Sequence, residues 1–197
     1  LCYFGKAGFS HVSSGQVVID NRAMGARSVK TYTEEGRLDD VLAALERDDL
    51  LLMQFGHNDA NAKKHERYVT SEEFEERLLR DFIAPARARG ARPVLVTPLT
   101  MREFDDDGRC KIAFPAYRDA MLSLAGKEAL PVIDLGRLSA EYNTKIGAVA
   151  CRSLYLWLPK GVFPHWPDGS EDDAHLQTNG AYLYAGMVAE ELRKYLY

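Results

Sequence analysis

The chain alternates short apolar runs with longer stretches in which apolar residues recur every three or four positions. The runs "QVVID" (Gln16–Asp20), "LLLMQF" (Leu50–Phe55), "RPVLVTP" (Arg92–Pro98) and "LPVIDL" (Leu130–Leu135) predict strands. After the first, "LDDVLAALERDD" sets Leu38, Val41, Leu42 and Leu45 on one helical face. Thr70, three residues before Glu73, predicts the capping box of a second helix, which carries Phe74, Leu78, Phe82 and Ile83 along one side. "FPAYRDAMLSLAGKE" (Phe114–Glu128) predicts a third helix, with Pro115 suited to its first turn. A last helix is expected from near Thr178, carrying Tyr184, Val188, Leu192 and Leu196. Apolar strands separated by helices imply a parallel sheet covered on both faces, and such sheets bind ligands at the carboxyl ends of their strands.

Composition narrows the picture. The 197 residues are 46% hydrophobic and 27% charged, enough for one globular domain with a core. The 25 basic and 29 acidic residues leave a net charge of −4, which argues against a nucleic-acid or membrane-surface partner. No run approaches the roughly 18 apolar residues of a membrane span. Cys2, Cys110 and Cys151 form no metal-like cluster. So sparse and odd a set fits a reducing compartment, and the expected location is cytoplasmic; one bridge plus a free thiol stays open as the alternative. Residue 1 is Leu, so a leader upstream, and with it secretion, stays open too.

Four polar blocks fall where the sheet rule places chemistry. "NRAMGARS" (Asn21–Ser28) follows the first strand and offers backbone N–H groups in a glycine-containing turn; it also reads as an ordinary strand-to-helix turn, with Ser28 as a helix cap. "GHND" follows Phe55. Asn58 there can aim its amide at a developing oxyanion or simply make an Asx-turn, and His57 and Asp59 can brace the loop. "TPLTMREF" (Thr97–Phe104) follows the third strand. "EDDAHLQTNGA" (Glu171–Ala181) is a polar loop before the final helix. Asp172 and His175 are spaced so that a carboxylate can orient an imidazole and leave Nε2 as a base; they read equally as a helix cap and a surface histidine.

Together and in this order, these blocks resemble the SGNH (GDSL-like) hydrolases, and more narrowly the rhamnogalacturonan acetylesterase family. "ARSVKTYTEEGRLDDVL", "FGHNDANAKKHERY", "RPVLVTPLTMREFDDDG", "PVIDLGRLSAEY" and "DAHLQTNGA" each match its pattern, over roughly Val17 to the C-terminus. The resemblance implies a three-layer α/β/α, flavodoxin-like fold and a serine esterase deacetylating a pectic polysaccharide. It implies no metal or organic cofactor. Asn58 is then the side-chain oxyanion donor and Ala26 a backbone donor, with His175 the general base and Asp172 its orienting partner. The family has glycine where this chain has Ala26; a backbone donor survives that change unless the position needs φ > 0. The family's nucleophile lies in a G-D-S on the first strand. This chain holds no G-D-S and begins 20 residues before Asn21. The expectation is therefore a single SGNH-type domain over residues 1–197 that lacks its first strand and nucleophile. Ser10, Ser13 and Ser14 are not preceded by a strand and are not assigned to the role.

Three rivals remain on sequence. A metallophosphoesterase uses a block like "GHND", but the only D-x-H, Asp173–His175, lies far downstream and no G-D-x-x-D exists. A lipase of the same superfamily is disfavoured by the lack of a long apolar lid. An inactive carbohydrate-binding relative would use Tyr155, Trp157 and Trp166 to stack on sugars; the same aromatics serve equally to pack the late loop.

Overall fold

A computed structural model describes residues 18–195. Cys2, Ser10, Ser13, Ser14 and Leu196 lie outside the described residues, as do Gln16 and Val17 of the first expected strand. The rest of that strand, Val18–Asp20, is irregular, and Val18 is 86% exposed. With no ladder partner among the described residues, a β-branched run has no hydrogen bonds to hold it extended.

The chain gathers into two compact units. The first to be described comprises Met24–Pro98 and Phe114–Asp134. It holds helices α1 (Val29–Glu34) and α2 (Arg37–Ala44), strand β1 (Leu50–Met53) and helix α3 (Ser71–Arg77). A π-helical segment (Leu78–Ile83) leads into α4 (Ala84–Ala88), followed by β2 (Arg92–Val96), α5 (Pro115–Glu128) and β3 (Val132–Ile133). The three strands are parallel in the order β1-β2-β3, with Leu50 opposite Arg92 and Leu95 opposite Val132. The expected parallel α/β architecture is thus present, with strands shorter than their apolar runs. β1 stops at Met53 because Gly56 turns the chain at φ +124°. A Cβ there would meet Pro98 Cγ at 2.5 Å, so only glycine fits. The core packs Val29, Leu38, Met53, Phe74, Leu78, Phe82 and Met121, the positions the helical periodicity marked among them. Thr70 Oγ1 accepts from Glu73 N at 3.2 Å, which is the N-cap half of the expected capping box at α3.

The second unit comprises, among the described residues, Val18–Ala23, Leu99–Ala113 and Leu135–Tyr195. It holds α6 (Leu135–Ala150), the strands β4 (Tyr155–Leu158) and β5 (Ser170–Leu176), and α7 (Thr178–Leu192). The pattern of apolar positions did not reveal α6, β4 or β5. The fourth apolar run ends inside α6 rather than extending to Leu135 as a strand. β5 reads "SEDDAHL", a composition with little strand preference of its own; antiparallel pairing with β4 makes it a strand. The expected polar loop around Asp172 and His175 is therefore corrected to a strand. Tyr155, Tyr184, Val188 and Leu192 are buried here, and Asn143 joins the two tyrosine hydroxyls at 3.0 and 2.7 Å. Cys110 and Cys151 are free and buried, and burial pushes both thiols upward in pKa.

Candidate active site

The first unit carries the expected oxyanion donors. Ser28 caps α1: its hydroxyl accepts from Thr31 N at 3.3 Å, and its own N–H donates to Thr31 Oγ1 at 2.9 Å. Ser28 is fully buried in that cap. The turn before it places Ala26 at φ +62°. Its carbonyls are held one by one. Gly25 O accepts from the Arg27 guanidinium at 3.1 Å, Ala26 O from Arg67 at 3.3 Å, and Arg27 O from Asn58 Nδ2 at 3.0 Å. In a planar trans peptide, fixing a C=O fixes the N–H that follows it. The bond to Gly25 O therefore orients the Ala26 N–H, and the bond to Ala26 O orients that of Arg27. Asn58 has two amide hydrogens, and Arg27 takes one.

Asp59 locks this wall to its support. Its carboxylate accepts from Val29 N at 2.8 Å and from Gly56 N at 2.9 Å, inside a fully buried site. The Tyr117 hydroxyl donates to the carbonyls of Asp59 and Val69. The His57 ring packs edge-on to Phe114 at 4.9 Å between centroids. The loop-bracing roles expected for His57 and Asp59 are what this geometry describes. Burial raises the Asp59 pKa from 3.8 to about 6, against the lowering pull of the Val29 and Gly56 N–H groups.

A raised carboxyl pKa means that the folded state binds the proton more tightly than the unfolded chain. This contribution to stability is greatest below pH 4 and is lost as pH rises through 6, by up to about 3 kcal/mol. Compared with Asp59→Asn in urea titrations, the parent should lose stability by this order between pH 4 and 6.5. A pH-independent difference between the two would contradict the assignment.

Ala26 yields a second expectation. The position does need φ > 0, where an alanine is strained by roughly 1–2 kcal/mol. Ala26→Gly relieves that strain but loosens the unfolded chain, so the net gain expected is about 0.5–1 kcal/mol. Chemical denaturation reads it, and a destabilised variant would mean that the turn differs from this geometry.

The second unit carries the expected acid–base pair. Leu156 pairs with Asp172 and Tyr155 with Leu176, so β5 bulges out through Asp173–His175. In a regular strand, residues three apart point to opposite faces. The bulge instead folds the backbone over the Asp172 carboxylate. Its Oδ1 accepts from Ala174 N at 2.7 Å and His175 N at 2.9 Å, and its Oδ2 lies 2.6 Å from His175 Nδ1. Nδ1 facing a carboxylate carries the proton, which leaves Nε2 with a lone pair. The His175 side chain is 78% exposed and that of Asp172 31%. Burial pushes the Asp172 carboxyl up, but the two N–H groups and the imidazole outweigh it and hold it below the usual range.

Sequence reading missed the supports of this pair. Gln177 ties the end of β5 to β4 by donating to Tyr155 O at 2.7 Å and to Trp157 O at 3.2 Å. Arg102, in the "TPLTMREF" block, holds Asp173. Of the three aromatics offered as sugar platforms, Tyr155 is buried in the core. The Trp157 ring has the guanidinium groups of Arg102 and Arg152 over it, at 4.4 and 4.2 Å. Trp166 remains 42% exposed.

No protein-family model matches the chain. It is 36% identical over 186 residues to rhamnogalacturonan acetylesterase RhgT of Bacillus subtilis, covering 94% of this chain and 78% of that protein. It is also 36% identical to the probable rhamnogalacturonan acetylesterase YesY of the same organism, covering 94% of this chain and 80% of the relative. Among solved structures, that of B. subtilis YxiM superposes with a TM-score of 0.79 at 27% identity, over 98% of this chain and half of that one. The chain thus belongs to the rhamnogalacturonan acetylesterase family of SGNH (GDSL-like) hydrolases, carboxylic ester hydrolases of the acetylesterase type.

Proposed function

We propose that this protein deacetylates a pectic polysaccharide of the rhamnogalacturonan kind by serine-esterase chemistry. The observation that carries the reading is the Asp172–His175 contact of 2.6 Å, with the imidazole exposed and its Nε2 available. The family's nucleophilic serine, a role to which no serine of this chain is assigned, attacks the acetyl carbonyl with its hydroxyl while His175 Nε2 takes the proton. The tetrahedral oxyanion is stabilised by the Asn58 amide and the Ala26 N–H. The intermediate collapses, the sugar hydroxyl leaves with the proton from His175, and an acetyl-enzyme remains. Water, deprotonated by the same imidazole, attacks it and releases acetate. The chemistry requires no metal or organic cofactor, and its acidic balance suits a neutral or anionic sugar chain no better than a cationic one, so the substrate class rests on the relatives.

The test is acetate release from acetylated rhamnogalacturonan, with acetylated xylan and an aryl acetate in parallel. Preferential release from the first supports the proposal. Turnover of the aryl acetate with neither polymer deacetylated would keep the esterase and remove the substrate. Binding of the polymer with no hydrolysis of any ester would favour the inactive carbohydrate-binding alternative.

A further inference from the structure

The "TPLTMREF" block takes no part in the chemistry above, yet Arg102 within it makes the densest set of contacts to the bulge. Its N–H donates to Asp173 O at 2.8 Å and its Nε to Asp173 Oδ1 at 2.6 Å. Its second arm donates to Ala148 O at 3.0 Å, at the end of α6. The Trp157 indole N–H reaches the same Asp173 oxygen at 2.7 Å, and the Arg102 guanidinium lies over its ring. Asp173 is thus held by both main chain and side chain, from two elements. It is the residue that follows Asp172 and the first of the three that bulge from β5.

From this we infer that Arg102 and Trp157 are positioning residues of the esterase, which clamp Asp173 so that the bulge presents Asp172 to His175. The physical need is plain. Asp173–His175 lack ladder partners on β4, so nothing in the sheet itself stops the bulge from relaxing. A relaxed bulge would swing the Ala174 and His175 N–H groups off the Asp172 carboxylate and lengthen the 2.6 Å contact. Arg suits the task where Lys does not. Its planar fork holds Asp173 with one nitrogen and Ala148 with another while stacking on the indole. The same stacking engages the Trp157 ring, an aromatic that the sequence offered as a platform, with a guanidinium group.

This inference rests on His175 being the general base, and its test separates the two. In protein without substrate, the Asp172 carboxyl is titrated by carbon-detected NMR. In Arg102→Ala its midpoint should rise, because the donors that hold it low lose their alignment. Arg102→Lys should restore part of the shift. Trp157→Phe keeps a ring under the guanidinium and removes one donor, so it should show a smaller rise in a protein that remains folded. Against an aryl acetate, kcat should fall about a hundredfold for Arg102→Ala and about tenfold for Trp157→Phe, with KM little changed. An unmoved Asp172 midpoint in the folded variants overturns the inference, as does a rise in KM alone. A raised midpoint in a protein that hydrolyses no ester upholds the clamp and removes the esterase reading.

Discussion

In protein that carries the family's nucleophilic serine, His175→Ala is expected to abolish hydrolysis of an aryl acetate, with kcat lowered about 10⁴-fold or more. His175 Nδ1 is committed to Asp172 at 2.6 Å, and the ring is otherwise exposed. In the proposed mechanism Nε2 is therefore the ring nitrogen left to take a proton from the nucleophile and return it to the leaving oxygen. Alanine removes the base and leaves the bulge intact, because Asp172 keeps its bonds to the Ala174 and residue-175 backbone N–H groups. The variant should therefore unfold at nearly the parent's denaturant midpoint. Unchanged turnover in a well-folded variant would end the assignment.

The second large effect is expected at Asn58. Asn58→Ala should lower kcat by about 10²–10³ with little change in KM, the signature of a donor that acts on the transition state. Two roles must be told apart, since the Asn58 amide also ties down the Arg27 carbonyl at 3.0 Å. If it only braced the turn, stability would fall along with activity, and substrate binding would weaken. If it stabilises the oxyanion, the loss falls on kcat while the turn stays held by Arg67 at Ala26 O and by Asp59 at Val29 N. A rise in KM alone would make Asn58 a binding residue.

Much of the first unit was legible because its signals are local. The periodic residues of the helices, the cap at Thr70 and the glycine ending β1 each act within a few positions of chain, and the structure places them as their spacing implied. His57 and Asp59 were legible as braces for the same reason, standing one turn from the strand they steady. The second unit was less legible. "SEDDAHL" carries no strand pattern, and α6 is interrupted at Gly147 with φ +82°. Arg102 and Gln177 lie in blocks that the sequence marked, but nothing marked them individually as supports, because their partners lie 71 and 22 residues away along the chain.

The sequence by itself determined the alternating α/β order and the family, and it named the side chains that the proposed chemistry calls on: Asn58, Asp172, His175 and the turn at Ala26. Those are questions of residue type and spacing, and spacing survives without coordinates. Tertiary structure alone decided how they are aimed. It set Ala26 at positive φ through three carbonyl contacts, and it buried Asp59 until its carboxyl titrates near 6. It also turned a polar stretch into a bulged strand that brings Asp172 onto His175. Each of these depends on hydrogen bonds between residues far apart in the chain, and such bonds leave no period or motif in the sequence that makes them.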